Sequence, residues 1–165
     1  MAPIIAVANQ KGGVGKTTTS VNLAAALAIE GGSVLLVDID PQGNATSGLG
    51  VDAMSLGKTI YNALIVKEGI ASLAMQTGVN GLSLVPANSH LAGAEVELVN
   101  MDGREHRLKE ALAEVTDRYD TILLDCPPAL GLLTINAMVA AHSVLVPVQC
   151  EYYAMEGLGR LMESI

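Results

Sequence analysis

The sequence predicts an α/β fold of three layers, in which a mostly parallel central sheet is flanked by helices. Short apolar runs alternate with helix-like runs, two of the apolar runs end in aspartate, and the first leads directly into a glycine-rich loop. Strands alternating with helices are typical of right-handed crossover units, which build parallel sheets. We therefore expect the 165-residue chain to form one domain of this class.

Composition sets limits on the function. Half of the residues are hydrophobic, but there are four Tyr and no Phe or Trp, so the core must be built from aliphatic side chains. The net charge is −8 and no run of Lys or Arg is present, so the sequence does not indicate an extended basic surface that binds nucleic acid. Cys126 and Cys150 lack metal-ligand spacing. With no signal peptide or long apolar run, we expect a soluble cytoplasmic protein without a membrane partner.

The first three elements form one strand–helix–strand unit. Residues 1–8 are apolar and predict a buried strand, and residues 33–37 predict a second one. Between them, residues 17–30 predict a helix that ends at Gly31-Gly32. Its expected inward stripe comprises Val21, Ala24, Ala25, Leu27 and Ala28.

A glycine-rich loop joins the first strand to this helix, with the sequence N-Q-K-G-G-V-G-K-T-T at residues 9–18. Glycines let backbone N–H groups approach a polyphosphate, and the first turn of the helix adds unpaired N–H groups. Lys16 would reach the β- and γ-phosphates, and the Thr17 hydroxyl would bind Mg²⁺. The predicted phosphate-binding residues are Gly12, Gly13, Val14, Gly15, Lys16, Thr17 and Thr18. The alternative is a glycine-rich turn without a ligand.

This loop departs from the usual phosphate-loop pattern, which has glycine where this chain has Gln10. Lys11 instead precedes the glycine pair, so two lysines occupy one tight loop. Two ammonium groups beside one nucleotide repel each other unless phosphate charge offsets them. Lys11 could therefore serve a nucleotide held by a second subunit, as an arginine finger does. The alternative is a solvated surface lysine.

Two carboxylates, Asp38 and Asp40, follow the second strand. Ligands of open parallel sheets lie beyond the carboxyl ends of the strands, so both acids are expected on the rim that carries the glycine loop. Alternation along the chain puts both on one side, with Ile39 on the other. One carboxylate can hold a water bound to Mg²⁺ while the other positions the attacking water. The alternative is a pair of loop acids that solvate a strand end.

The middle of the chain is less strongly patterned. Residues 41–51 are rich in Gly, Ser, Thr and Asn and predict a mobile loop that could order around a γ-phosphate. The remaining predictions are a short helix at 59–67, a small strand or ambiguous segment at 70–74, a strand at 82–86 and a helix at 90–99. Residues 104–118 predict an amphipathic helix with Leu108, Leu112 and Val115 on its buried face.

The last part of the sequence holds a third informative strand, at residues 120–125. It ends in Asp125, and a hydrophobic strand ending in Asp is typical of the magnesium-binding acid of phosphate-loop nucleotidases. The Cys126 thiol that follows has no activating neighbour in the sequence, so we expect it to be passive. Further predictions are a nucleotide-sensing loop at 126–131, a helix at 132–141, a buried strand at 143–148 and a helix beginning at 154. Tyr152 and Tyr153 could stack on a base, face a partner or pack against that helix.

Four stretches occur in the order typical of one family: A-N-Q-K-G-G-V-G-K-T-T-T (8–19), L-L-V-D-I-D-P-Q-G-N-A-T-S-G-L-G (35–50), T-I-L-L-D-C-P-P (121–128) and V-P-V-Q-C-E-Y-Y-A-M-E-G-L (146–158). They resemble the ParA/Soj chromosome and plasmid partitioning ATPases, which belong to the deviant Walker A group of SIMIBI-like phosphate-loop NTPases. The resemblance implies a Mg²⁺-dependent ATPase that converts ATP to ADP and phosphate. It implies that Lys11 acts across an ATP-sandwich dimer and that Asp40 orients the hydrolytic water. Asp125 would be the Walker B acid, and Asp38 an auxiliary acid near the metal.

The resemblance also implies partners. Members of this family form ATP-bound homodimers, bind DNA non-specifically on the nucleoid and are stimulated by a ParB-like protein. They are longer than this chain, so we expect a chain that is incomplete at its C-terminus, where much of the adenine pocket and of the DNA-contacting surface would lie.

Three other functions share part of this pattern. A MinD-like division-site ATPase has the same loop but needs a C-terminal amphipathic helix for lipid. A relative of the nitrogenase iron protein needs cysteines placed for a shared cluster, which Cys126 and Cys150 do not match. The remaining alternative is a truncated nucleotide-binding module without turnover.

Overall fold

The computed structural model describes residues 1–149; Cys150, Tyr152, Tyr153 and the helix predicted from residue 154 lie outside the described residues. The strands are β1 (Ile4–Val7), β2 (Val34–Asp38), β3 (Met75–Gln76), β4 (Leu82–Val85), β5 (Thr121–Asp125) and β6 (Ser143–Leu145). The α-helices are α1 (Lys16–Ile29), α2 (Asn44–Gly48), α3 (Ile70–Leu73), α4 (Leu91–Leu98), α5 (Arg107–Leu112) and α6 (Leu132–Ala140). A 3₁₀ turn (Ala53–Ser55) and a π-helical turn (Asn62–Val66) lie between α2 and α3.

The six strands form one sheet in the order β3-β4-β2-β5-β1-β6. Strands β1, β2, β4, β5 and β6 pair in parallel, and the two-residue β3 pairs antiparallel with β4. The predicted α/β fold with a mostly parallel sheet is confirmed. All five residues of β2 are buried, because a parallel sheet inside such a fold is covered on both faces.

Successive residues of β2 face opposite layers. Val34 and Leu36 pack in one buried cluster with Ala24 and Ala28 of α1, which are the most buried positions of the stripe predicted for this helix. Leu35 belongs to the cluster on the other face of the sheet. That layer includes Leu91 and Leu98 of α4, Leu108 and Leu112 of α5, and Leu133 and Ala137 of α6. The sheet is therefore the middle of the three predicted layers.

The segment 41–51, predicted as a mobile loop, contains helix α2 instead. Its Ala45 and Thr46 side chains are fully buried. Gly43, the N-cap residue of α2, has a φ of 61°, and its N–H donates to the Asp40 carbonyl oxygen. Small polar residues favour loops locally, but here burial against the sheet and hydrogen bonds to β2 stabilise a helix.

Three other boundaries differ from the predictions. The segment 70–74, expected to be a small strand or ambiguous, contains the helix α3, whose Ala71 N–H donates to the Glu114 carboxylate (2.9 Å). The predicted helix at 104–118 is regular only over α5, although Leu108, Leu112 and Val115 are all buried as predicted. Strand β6 is half exposed rather than buried, because within residues 1–149 it lies at the edge of the sheet.

Gly81 offers a test of the turn before β4, which packs against Gly32 and the end of α1. Its φ is +83°, and an added Cβ would lie 2.7 Å from the Gly32 carbonyl oxygen. We therefore expect Gly81→Ala to lower the free energy of unfolding by about 1–3 kcal/mol in urea titrations, because the side chain adds both strain and a clash. Gly78→Ala is the matched control, because nothing lies within 4 Å of its added Cβ. Equal stability of the two variants would contradict this description of the turn.

Candidate functional site

The carboxyl ends of three neighbouring strands meet at one edge of the sheet. Val7 of β1 and Asp38 of β2 both pair in register with Asp125 of β5. The glycine loop follows β1, and Asp40 follows β2 by two residues. A cavity of about 350 Å³ opens at this edge. It is lined by Gly12, Gly13, Gly15, Lys16, Thr17, Thr18, Asp40, Gln42, Asn44 and Pro128.

The loop wraps around the N-terminus of α1. Gly13 and Gly15 have φ values of 72° and 88°, which L side chains rarely adopt, so the loop needs glycine at both positions. Gly15 is the N-cap residue of α1 and has no side chain to cap the helix, so the first N–H groups of α1 can bind a ligand. Such a helix terminus attracts anions, and phosphate is the anion that best suits a loop of this shape.

Two side chains outside the predicted set hold the loop in place. The Asn9 Oδ1 accepts from the Lys11 N–H (3.0 Å), while its Nδ2 donates to the Pro147 carbonyl (2.8 Å). The Gln149 Nε2 donates to the Gly13 carbonyl (3.1 Å). Asn9 thus links the loop to the segment after β6, which sequence spacing does not indicate because the two lie 138 residues apart.

Lys16 lies at the floor of the cavity with only 7% of its surface exposed. Its Nζ donates to the Lys11 carbonyl oxygen at 3.1 Å, which turns the ammonium group back across the loop. Burial lowers the pKa of Lys16, and the negative charges of Asp125 and Asp40 oppose that shift. A cation so buried favours an added negative charge, and a phosphate group at the loop supplies it.

Asp125 is buried behind the loop, and both of its oxygens accept hydrogen bonds. Oδ2 accepts from the Thr17 hydroxyl (2.8 Å) and Oδ1 from the Ser20 hydroxyl (2.7 Å). Burial raises the pKa of Asp125, against these two hydrogen bonds. Ser20 was not predicted, although it lies three residues after Thr17 and therefore on the same face of α1.

Thr17 and Asp125 together fit a magnesium ion. A hydroxyl and a carboxylate oxygen that lie 2.8 Å apart are oxygen donors of the kind that Mg²⁺ prefers. Within residues 1–149 no cluster of three or more His, Cys, Asp or Glu could hold a metal ion.

The two acids at the end of β2 lie in different surroundings. Asp40 lines the cavity, and its Oδ1 accepts from the Gln42 N–H at 2.9 Å. Asp38 was expected near the metal, but its fully buried carboxylate does not line the cavity and instead accepts from Thr46 and from the Asp40 N–H. Burial raises the pKa of Asp38 to about 7, against the two hydrogen bonds from Thr46. The structure thus separates two residues that alternation placed on one side.

The other predicted site residues are placed as follows. Val14 is buried although it belongs to the loop, and Thr18 is exposed at the cavity. Lys11 is half-buried, and its side chain is not among the described groups that line the cavity. Cys126 is fully buried, and burial raises the pKa of its thiol, which agrees with the expected passive role.

A glycine loop between β1 and α1, with a buried lysine and an aspartate at the end of a neighbouring strand, defines a phosphate-loop nucleotide-binding protein. The profile of the family described as AAA domain matches residues 2–165. The chain is 56% identical over 165 residues to the sporulation initiation inhibitor protein Soj of Bacillus subtilis, and 57% identical over 162 residues to the chromosome partitioning protein ParA of Myxococcus xanthus. The chain belongs to the ParA/Soj family.

The similarity extends over the whole chain but over only part of these relatives. The matches cover 100% of this chain and 65% of Soj, and 98% of this chain and 57% of ParA. A crystal structure from Mycobacterium smegmatis, named cobyrinic acid a,c-diamide synthase with bound ATP analog and magnesium, superposes with a TM-score of 0.95 at 45% identity. The superposition covers 100% of this chain and 67% of that one. None of the helices within residues 1–149 has the length and hydropathy needed to cross a bilayer.

Proposed function

We propose that this protein binds and hydrolyses ATP with Mg²⁺ and acts in DNA partitioning, with an ATP-bound homodimer as its active state. It works in the cytoplasm on the nucleoid. The observation that carries the proposal is that Lys16, Thr17 and Asp40 line one cavity, with Asp125 hydrogen-bonded to the Thr17 hydroxyl behind it. The M. smegmatis structure, crystallised with an ATP analog and magnesium, supports the choice of ligands.

The position of each cavity residue indicates its role in ATP binding or hydrolysis. The N–H groups of the loop and of the first turn of α1 bind the phosphates, and the Lys16 ammonium neutralises the β- and γ-phosphate oxygens. Thr17 and Asp125 would hold Mg²⁺, which neutralises charge on the phosphates when bound. Asp40 lines the same cavity and accepts a hydrogen bond from the attacking water, which it orients toward the γ-phosphate. Asp38 has no proposed contact with the metal, because its oxygens are engaged elsewhere.

The dimer and its partners complete the proposal. Lys11 acts across the dimer interface on the nucleotide of the other subunit, in the manner of an arginine finger. A ParB-like DNA-binding protein stimulates hydrolysis and so ends each cycle of DNA binding. Non-specific DNA contacts come from segments outside residues 1–149, since the described part is acidic and offers no basic run.

We expect Lys11→Ala to spare nucleotide binding but to prevent the ATP-dependent dimer. Lys11 is not among the described cavity-lining groups, so binding of ATP to one subunit should change less than about threefold, while the charge needed by the facing nucleotide is lost. Light scattering with a non-hydrolysable ATP analog measures the dimer. Lys109→Ala is the control, because it removes an exposed lysine of α5. An ATP dimer of normal stability in Lys11→Ala would refute a role across the interface.

Phosphate release by the protein expressed from its complete reading frame tests the proposed activity. We expect slow Mg²⁺-dependent hydrolysis of ATP that rises when duplex DNA and the ParB-like protein are added together. Absence of hydrolysis under all of these conditions would contradict the proposal and favour a nucleotide-binding module.

The name of the M. smegmatis protein raises a second candidate, an ATP-dependent amide synthase. Such an enzyme releases phosphate only when a carboxylic acid and a compound that supplies the amide nitrogen are both present. Adding cobyrinic acid and glutamine therefore separates the two functions: phosphate release that requires both compounds, with formation of the amide, would replace partitioning as the assignment.

A further inference from the structure

A directed chain of buried hydrogen bonds joins β4, α2 and β2. The Ala87 N–H, just after β4, donates to the Thr46 Oγ1 at 3.0 Å. The Thr46 Oγ1 lies 2.7 Å from the Asp38 Oδ2, and the Thr46 N–H donates to the same oxygen at 2.9 Å. Because the hydroxyl accepts from an amide, its single proton must be donated to the carboxylate. The hydroxyl therefore has one orientation.

The chain continues from Asp38 to the proposed catalytic residue. The Asp38 Oδ1 accepts from the Asp40 N–H at 3.0 Å. The two Asp38 carboxylate oxygens thus accept three hydrogen bonds from the protein. Asp38 and Thr46 are both 0% exposed, so solvent cannot replace a lost partner.

The same contacts hold one wall of the cavity. Gln42 and Asn44, which line the cavity, lie between Asp40 and Thr46 in the chain. The Gln42 N–H donates to the Asp40 Oδ1 (2.9 Å), so the backbone around Asp40 and the orientation of its carboxylate are fixed together. Both ends of this short segment are bonded to the Asp38 carboxylate.

We propose that Thr46 and Asp38 are positioning residues that hold Asp40 and the start of α2 in the geometry required for hydrolysis, and that Asp38 is not a magnesium ligand. The inference rests on the proposed function, in which Asp40 orients the attacking water. A displacement of about 1 Å at a reacting group can reduce a rate about a hundredfold. Loss of the buried contacts made by Asp38 and Thr46 can therefore lower kcat by displacing Asp40.

Thr46→Val and Thr46→Ser test the chain of hydrogen bonds. Valine keeps the volume of threonine but removes the hydroxyl, which leaves the Ala87 N–H unpaired and deprives Asp38 of one donor. We expect kcat to fall at least about tenfold in Thr46→Val, with ADP affinity in Mg²⁺ changed by less than about threefold. Amide hydrogen exchange at Asp40 and residue 46 should become faster. Thr46→Ser, which restores the hydroxyl, should recover kcat to within about threefold of the wild-type value.

The outcomes separate a positioning role from a general loss of structure. Equal losses of kcat and of ADP affinity in Thr46→Val, or a failure of Thr46→Ser to recover either, would overturn the proposal. If the wild-type protein hydrolyses no ATP, the proposed function fails, but amide exchange at Asp40 in the two variants still decides whether Thr46 holds it. Unchanged exchange in Thr46→Val would then refute the inference by itself.

Asp38→Asn separates positioning from metal binding. Asparagine has the same shape, but its amide nitrogen must face a donor, so exchange at the Asp40 N–H should become faster. The Mg²⁺ concentration that half-saturates ADP binding should change by less than about twofold, since no Mg²⁺ contact is lost. A tenfold increase in that concentration would return Asp38 to the metal site and overturn the proposal.

Discussion

Replacing Lys16 with alanine is expected to weaken MgATP binding at least about a hundredfold, which corresponds to about 2.7 kcal/mol. Lys16 is the buried cation at the floor of the cavity, and its Nζ already lies across the loop on the Lys11 carbonyl oxygen. Its removal leaves the phosphates with N–H donors but without the charge that best offsets theirs. Calorimetric titration with a non-hydrolysable ATP analog in Mg²⁺ measures the loss directly.

Lys58→Ala is the matched control for this prediction. Lys58 is an exposed lysine that forms an ion pair with Glu68, away from the groups that line the cavity. The affinity of the Lys58→Ala variant for MgATP should lie within about twofold of the wild-type value, because exposed ion pairs contribute little to stability. Wild-type affinity in Lys16→Ala would show that the glycine loop does not bind the triphosphate, and the assignment of the site would have to be abandoned.

Replacing Asp40 with alanine is expected to lower the rate of ATP hydrolysis at least about a hundredfold while ATP remains bound. Asp40 lines the cavity beside the glycine loop, and the Gln42 N–H fixes one of its carboxylate oxygens. Without that carboxylate the attacking water has no group to orient it, whereas the phosphate-binding groups are unchanged. Single-turnover phosphate release separates this defect from a defect in binding. The ATP-bound dimer should persist for correspondingly longer in light scattering.

Asp117→Ala provides the comparison for Asp40→Ala. It also removes one carboxylate, but Asp117 is exposed and pairs with the N-terminal amino group. Its turnover should equal that of the wild-type protein. Normal turnover in Asp40→Ala would rule out a role in positioning water, and loss of ATP binding there would make Asp40 a binding residue instead.

The sequence could predict those parts of the site that depend on local order along the chain. The glycine loop at 12–15 has positive φ at Gly13 and Gly15. Because glycine adopts positive φ readily, its presence in the sequence indicates such positions. The acids at the ends of β2 and β5 were predictable because parallel strands place their carboxyl ends at one edge. Ser20 follows Thr17 by three residues, so the helical face that carries Thr17 also indicates Ser20.

Other parts could not be predicted because they depend on partners that are distant in sequence. Asn9 is bonded to Pro147, and the Thr46 hydroxyl receives the Ala87 N–H. The composition of residues 41–51 favours a loop, and the burial of Thr46 against the sheet is what stabilises α2 there.

The sequence by itself determined the class of fold and the glycine loop. It also indicated three acids, Asp38, Asp40 and Asp125, as candidates for binding magnesium or orienting water. The tertiary structure decided how those acids are used: Asp125 lies behind Thr17, Asp40 lines the cavity, and Asp38 is turned into the protein. The physical reason is that a buried carboxylate must take its donors from whatever elements pack around it. For Asp38 two of its three donors belong to Thr46 of α2, and the third is the Asp40 N–H.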